Sequence, residues 1–396
     1  MNILMVARSL PMHVSGGMES AAWDLARHLA RAGHKTSLIT TAHERLAECS
    51  VIDGVEVSCV AAAPGRYSKA WWTGSTELFK TRYAETADVV LGVSAAANAL
   101  VAHRNPRRPQ AFVFQAHGTS SGEIVSKLRQ RSLKGYVGMT RNLYWLLFKD
   151  RIYREFDAVV AIGDAVQSQM ANWPTKSLLG STPAVMISNG VDTGQFRFDG
   201  AARAKLRTDL SLPPEARVLL SLCRLHPQKG LQVGLQAFRQ ALDADPALRY
   251  LIAGEGPQTE ALKSMISALG LEDKALLLGG VPRAAVPAHL SAADAFLFPT
   301  LRVEGLPITL LEALASGLPV ITTPNGGDAE LPCARAPAGD AGATCREILT
   351  AVRGPIQRVS ALPERYTLDY SGRRYIELFQ QILAGRMPGP DQRGVS

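Results

Sequence analysis

The sequence predicts an α/β protein built from two consecutive domains, each a parallel sheet covered by helices on both faces. Three observations carry this reading. The chain has 396 residues, 46% hydrophobic and 20% charged, a globular composition in a length too great for one ordinary domain. Short runs that are apolar on both faces alternate with helical patterns, as strands buried between helix layers do. The alternation then restarts after residue 200, beyond the polar, glycine-containing stretch Asn189–Gly200.

In the first half, strands are expected at Ile3–Ala7, Thr36–Thr40, Val55–Val60, Asp88–Val93, Ala111–Gln115, Ala158–Ile162 and Ala184–Ile187. Between the first two, Ala22, Leu25, Ala26 and Leu29 keep the spacing of one apolar helix face, and Gly33 ends that helix. In the second half, strands are expected at Val218–Leu222, Tyr250–Ala253, Ala275–Leu278, Ala295–Phe298 and Pro319–Thr322. Helices fall near 230–242, 257–269, 284–292 and 307–316, and a last one over Asp369–Leu383. The tail, rich in glycine and proline, reads as disordered over 386–396. In open parallel sheets ligands sit beyond the C-terminal strand ends, so two such sheets facing each other would place a ligand in a cleft.

Composition narrows the class. No run approaches the roughly 20 apolar residues that span a bilayer, and the opening Ile3–Ala7 is too short for a signal-peptide core. The five cysteines, Cys49, Cys59, Cys223, Cys333 and Cys345, form no CxxC pair, which suggests neither a disulfide framework nor a zinc site and fits a reducing cytosol. The net charge is +8. Eight basic residues from Lys127 to Arg154 against the one acid Asp150 give +7 of it. That window also carries Tyr136, Tyr144, Trp145, Phe148 and Tyr153. Cations among aromatics suit an anionic membrane surface or a polyprenyl phosphate. They also suit ordinary helix packing with snorkelling stems. Nucleic acid is disfavoured because no nucleic-acid module is visible. Trp71-Trp72 suits either an acceptor groove or core packing.

The strongest chemical signal is Pro299–Ala313, which holds Glu304 and Glu312 eight residues apart between a strand and a helix. Pro307 suits the first helical turn, where a missing N–H costs nothing, and the N–H groups of Gly305, Leu306 and Ile308 would face an anion or sugar hydroxyls. This segment resembles the Glu-x7-Glu signature of the retaining GT-B glycosyltransferases of family 4. Five more motifs stand in that family's order: Gly16-Gly17, Gln115-Ala116-His117-Gly118, Ile187–Asp192 with Phe196, Leu222–Gly230, and Leu251–Pro257 with Glu255. Gly326–Leu331 resembles a further family element, with a shorter segment after it. The resemblance covers roughly residues 1–383.

The resemblance implies a GT-B fold of two Rossmann-like domains facing each other across a cleft. An acceptor-binding domain would cover 1–195 and a nucleotide-sugar-binding domain 196–368, with a helix over 369–385 packing back toward the first. It implies a retaining, metal-independent transfer from a nucleotide-diphosphate-sugar to a glycan or lipid-linked acceptor, with no other cofactor and no metal-binding residues. Glu312 resembles the residue that accepts hydrogen bonds from the ribose, and Glu304 the one beside the transferred sugar and its reacting carbon. Glu255 and Gly305–Pro307 would join the donor site. Physical roles fit beside that. Arg224 and Lys229, five apart on a loop between strand and helix, can neutralise a leaving diphosphate. Gly16 and Gly17 would let backbone approach that diphosphate, and His117 could contact the sugar or support charge at the reacting centre. Bacterial surface-glycan assembly at the inner face of the cytoplasmic membrane is the leading expectation. A tailoring enzyme for a soluble metabolite and a non-catalytic sugar-nucleotide-binding subunit are the alternatives, and the missing GxGxxG counts against a dinucleotide-dependent oxidoreductase.

Overall fold

The computed structural model describes the chain except for residues 15, 45, 63–66, 130–132, 149, 355–357 and 387–396, and except for the side chains of 125–129, 133–138, 141 and 148. The tail beyond Arg386 lies outside the described residues. So do the cationic side chains of Lys127, Arg129, Arg131, Lys134, Arg141 and Lys149 in the basic window.

The chain divides into two compact units, residues 1–190 with 368–396, and residues 191–367. The boundary thus lies at Val191 rather than at 196, and the final helix belongs to the first unit. In that unit run β1 (Asn2–Val6), α1 (Gly17–Arg31), β2 (Lys35–Thr41), β3 (Cys49–Ile52), β4 (Val55–Val60), α2 (Lys69–Leu78), β5 (Val89–Val93), β6 (Ala111–Ala116), α3 (Ser120–Arg129), α4 (Leu133–Phe148), β7 (Ala158–Ala161), α5 (Asp164–Ala171), α6 (Thr175–Leu179) and β8 (Ala184–Met186). The strands form one sheet in the order β3-β4-β2-β1-β5-β6-β7-β8, parallel except for the β3–β4 pair. Two apolar clusters cover its faces. One holds Ile3, Met5, Leu25 and Leu29, the other Leu4, Val6, Phe79 and Phe112, as the alternation of strand side chains requires.

The antiparallel edge strand β3 was not expected. It is half-exposed, so it lacks the two-faced apolar run of its neighbours. Its signal is the Asp53-Gly54 pair, whose positive φ of 51° and 83° makes the tight turn that an Asp-Gly hairpin uses. The Trp71-Trp72 pair splits. Trp71 is fully buried, with Nε1 donating to the Ala96 carbonyl at 3.3 Å, which makes it core rather than groove. Trp72 stacks on Tyr67 at 5.0 Å.

The second unit contains α7 (Gly200–Asp209), β9 (Arg217–Leu222), α8 (Leu231–Leu242), β10 (Leu248–Ala253), α9 (Thr259–Ala268), β11 (Ala275–Gly279), α10 (Val286–Ala292), β12 (Ala295–Phe298), α11 (Ile308–Ala315), β13 (Val320–Thr322), β14 (Ala334–Arg335) and α12 (Ala341–Arg353). Its sheet runs β11-β10-β9-β12-β13-β14, parallel throughout. The strand order reverses between β9 and β12, so the loops after these two strands diverge and leave a crevice at the C-terminal edge. The last helix, α13 (Leu368–Leu383), returns to the first unit. There Tyr375, Leu378 and Phe379 enter the cluster around α1, and Ser371 Oγ donates to the Ser188 carbonyl at 2.7 Å.

Two loops of the second unit are clasped backbone to backbone. Cys223 N–H donates to Ala253 O at 3.0 Å, and Leu225 N–H to Glu255 O at 2.8 Å. A side chain on Gly256, whose φ is +159°, would stand 2.2 Å from Leu225 O, and one on Gly254 would stand 2.0 Å from Cys223 O. Gly256→Ala should therefore cost about 3 kcal/mol or more, strain and overlap combined. Gly33→Ala, at φ +86° in open space, should cost only about 1–2 kcal/mol. Urea denaturation of both variants checks this, and equal losses would contradict the clasp.

Candidate functional site

The loops after β9 and β12 hold most of the chemistry. After β9 the chain passes Cys223, Arg224 and Leu225, makes a tight turn over Pro227–Lys229, and enters α8 through Gly230. Gly230 is left-handed at φ +67°, and a Cβ there would stand 2.1 Å from Pro299 O, so the two loops can meet only at a glycine. They are stitched together: Gln228 O accepts from Leu301 N–H at 2.9 Å and from Thr300 Oγ1 at 3.2 Å. From the next strand, Thr323 Oγ1 donates to Thr300 O at 2.8 Å, and Asn325 O accepts from Glu304 N–H at 2.9 Å.

This bracing joins two of the expected site residues directly. Lys229 Nζ donates to Glu304 Oε1 at 2.8 Å, and Thr300 Oγ1 donates to the same oxygen at 3.0 Å. The Lys229 ammonium also lies 5.0 Å from the centre of the Phe298 ring. Both charges are largely withdrawn from water, where an ion pair holds its geometry more firmly than on an open surface. Arg224 stands exposed on the same loop. Its field reaches His226, as do those of Lys229 and Arg302. Burial pushes the His226 pKa down first, and these three cations push it further. Arg302 thus joins the positive cluster, a residue inside the motif segment to which the sequence assigned no role.

Glu312 lies elsewhere in its surroundings. Pro307 is the N-cap of α11 rather than a residue of its first turn, and the helix starts at Ile308. Glu312, a turn further on, is 0% exposed and ion-paired with Arg283. Its carboxylate is enclosed by its own chain. The Arg283 guanidinium in turn covers the Phe196 ring at 4.7 Å. Arg283 sits just after β11, outside every motif, so no local pattern marks it as the partner of Glu312. Leu306 is buried and Gly305 half-buried. Glu255 is exposed and serves through its backbone carbonyl. Asp328, in the Gly326–Leu331 element, is buried and accepts from Tyr366 Oη at 2.8 Å, while Glu330 pairs with Arg365.

In the first unit, Gly16 is the N-cap of α1 and Gly17 its first residue. A Cβ at Gly16 would stand 2.3 Å from Glu19 Oε2, and Glu19 Oε1 accepts from Ser9 Oγ at 3.2 Å. Glu19, in the first turn of α1, places a carboxylate at this helix terminus. His117, just past β6, shares a 3.0 Å hydrogen bond with Gln115 Oε1. Gln115 Nε2 in turn donates to Tyr375 Oη at 2.7 Å. Burial lowers the His117 pKa from 6.5 to about 4, so the ring is neutral at physiological pH. Among the described residues, no group of three or more His, Cys, Asp or Glu could hold a metal ion.

Two stability tests follow from this geometry. Between pH 6.5 and about 4 the unfolded His117 binds more protons than the folded one. Its contribution is therefore complete above that window and lost as pH falls through it. His117→Asn should flatten the stability–pH curve there, and an unchanged slope would contradict the burial. Glu312→Gln should destabilise by about 3–5 kcal/mol in thermal denaturation, since Arg283 loses its enclosed counter-charge. The loss should exceed that of Glu304→Gln.

Comparison with known proteins places the chain. Residues 202–336 match the family described as glycosyl transferases group 1, and residues 15–195 match glycosyltransferase family 4. The putative colanic acid biosynthesis glycosyltransferase WcaL of Escherichia coli K12 is 39% identical over 56% of this chain and 55% of its own. The GDP-mannose-dependent alpha-(1-6)-phosphatidylinositol monomannoside mannosyltransferase of Mycolicibacterium smegmatis is 34% identical over 46% and 47%. The chain spans about half the length of these curated relatives. Among solved structures, sucrose-phosphate synthase of Thermosynechococcus elongatus matches with a TM-score of 0.76 at 18% identity, covering 97% of this chain and 99% of that one. WaaG, a glycosyltransferase involved in lipopolysaccharide biosynthesis, matches at 0.66 and 16% over 98% and 100%. At these identities the structural likeness shows the fold, that of the GT-B proteins with their two parallel-sheet α/β domains. With both halves matched in order, the chain belongs to glycosyltransferase family 4, the glycosyl transferases group 1.

Proposed function

We propose that this protein is a retaining glycosyltransferase that moves a sugar from a nucleotide-diphosphate-sugar to an acceptor in bacterial surface-glycan assembly. One observation carries the reading. Lys229 is ion-paired with Glu304 where β9 and β12 diverge, and the fields of Arg224, Lys229 and Arg302 all reach His226 on the same loop. Cleavage of the bond between the sugar's anomeric carbon and the diphosphate builds negative charge on the leaving oxygen. Preorganised cations at that point stabilise it without a metal. The new bond forms on the face the diphosphate leaves, and the acceptor's hydroxyl proton passes to the departing phosphate oxygen. Glu304, aligned by Lys229 and Thr300, positions the sugar and stabilises the positive charge on its ring. His117, neutral, serves a sugar hydroxyl as a hydrogen-bond partner.

The pathway rests on relatives. WcaL is named for colanic acid biosynthesis and AmsK of Erwinia amylovora for amylovoran biosynthesis, and a solved HepE of Anabaena holds UDP-glucose. Contact with an anionic membrane is part of the proposal. Leu143, Tyr144 and Leu147 lie exposed along α4, inside the basic window. No helix among the described residues is long and apolar enough to cross a bilayer, so such contact would be peripheral, at the cytoplasmic face.

Titration calorimetry and donor hydrolysis test these roles. Arg224→Ala with Lys229→Ala should weaken nucleoside diphosphates at least tenfold and leave the free nucleoside unchanged. Equal weakening of both would overturn the phosphate assignment. Glu304→Ala should lower turnover at least a hundredfold without loss of nucleoside-diphosphate affinity. Activity should survive EDTA, and its abolition would overturn the metal-free mechanism.

A further inference from the structure

The loop after β13 is the backing of the segment that carries Glu304. Asn325 O accepts from Glu304 N–H at 2.9 Å, and Asn325 Nδ2 donates to Leu301 O at 3.2 Å. Gly327, at φ +111°, lies so close to Pro307 that a Cβ there would stand 3.4 Å from its Cδ. The loop therefore touches both ends of the stretch from Glu304 to the N-cap of α11. Glu304 takes its backbone position from this loop, while its carboxylate is set by Lys229 and Thr300.

A buried pair holds the loop in turn. Asp328 is 2% exposed and Tyr366 is 0% exposed, and Tyr366 Oη donates to Asp328 Oδ2 at 2.8 Å. Burial first, and then the Asp328 charge, push the Tyr366 pKa well up, so the phenol keeps its proton and remains the donor. Arg335 donates to the Asp328 carbonyl at 2.6 Å. The Arg365 guanidinium, 4.7 Å from the centre of the Tyr366 ring, lies 3.5 Å from Asp328 Oδ2. The far end of the tie is fixed too. Val191 N–H donates to Tyr366 O at 2.9 Å, and Val191 pairs with Thr367 in an isolated parallel bridge. Val191 and Thr367 are the first and last residues of the second unit. A hydrogen-bonded path thus runs from the place where the chain enters and leaves that unit, through Tyr366 and Asp328, to the backbone of Glu304.

Stability alone does not call for such a pair. Two apolar side chains of the same shape can serve a buried site about as well as two hydrogen-bonded polar ones. What the bond adds is direction, because it fixes the separation and angle of the two groups it joins.

We propose that Tyr366 and Asp328 are positioning residues for Glu304: their bond sets the loop after β13 and, through Asn325, the place of the Glu304 carboxylate beside the transferred sugar. The role of Glu304 rests on the transferase reading above; the coupling of Tyr366 to the Glu304 backbone does not.

Three measurements test this together: amide hydrogen exchange read by mass spectrometry, donor hydrolysis with UDP-glucose and GDP-mannose, and calorimetric affinity for UDP and GDP. Tyr366→Phe, which removes one oxygen, should speed exchange about tenfold or more in the peptide holding Glu304 and leave α8 unchanged. It should lower kcat about tenfold or more, with KM and nucleoside-diphosphate affinity within about twofold of the wild type. Adding Asp328→Leu to it replaces both polar partners, and should recover the Tm that Tyr366→Phe loses but not kcat. A double variant that recovers kcat along with Tm shows a purely structural pair and overturns the proposal, as does unchanged exchange at Glu304 in Tyr366→Phe. Should Tyr366→Phe misfold, Asp328→Asn against Asp328→Leu takes its place. Only the asparagine keeps an acceptor for the phenol, so it should retain the higher kcat, and equal kcat in the two overturns the proposal. If the wild type neither hydrolyses a donor nor binds UDP or GDP, the transferase reading falls, and the exchange result alone decides the coupling.

Discussion

The ion pair between Lys229 and Glu304 is the constraint on which the second unit's site depends. It joins the loop after β9 to the loop after β12, and these strands sit side by side where the strand order of the parallel sheet reverses. Neither loop could hold the other on its own. The Gln228 carbonyl, the Thr300 hydroxyl and the Asn325 carbonyl remove the freedom each would otherwise have. Gly230 permits the approach, because a side chain there would collide with the Pro299 carbonyl. The outcome is a carboxylate and an ammonium fixed relative to one another before any ligand arrives, which is what electrostatic preorganisation requires.

The same pair sets a competition. Lys229 cannot give its full charge both to Glu304 and to a diphosphate. Arg224, exposed, and Arg302, close enough to depress His226, supply charge that this pair does not consume. A second pair, Arg283 with Glu312, carries no such ambiguity, since the carboxylate is entirely enclosed. One acid of the motif is therefore poised and the other locked.

Legibility followed periodicity. Strands with two buried faces, such as β1, β6 and β9, announce themselves as apolar runs, and their alternation with helices carried the two-sheet architecture. The half-exposed β3 and the two-residue β14 have no such run and went unseen, although Asp53-Gly54 marked a hairpin. The terminal helix α13 was legible as a helix from its apolar spacing, while its seat against α1 is a tertiary fact that spacing does not encode. The site was readable where function compresses several residues into one loop, as at Leu222–Gly230 and Pro299–Ala313. It was unreadable where partners come from distant elements. Arg283 reaches Glu312 from another strand end, Tyr375 reaches Gln115 across most of the chain, and Tyr366 reaches Asp328 from the segment before α13.

A double-mutant cycle on Lys229 and Glu304, read out as affinity for UDP and GDP by titration calorimetry, tests the central claim most directly. If the two side chains share one charge between carboxylate and diphosphate, Glu304→Gln tightens the nucleotide by releasing the ammonium, and the gain vanishes once Lys229→Met is also present. Should Glu304→Gln weaken the nucleotide as much as Lys229→Met does, the ammonium does not serve two partners and the account fails.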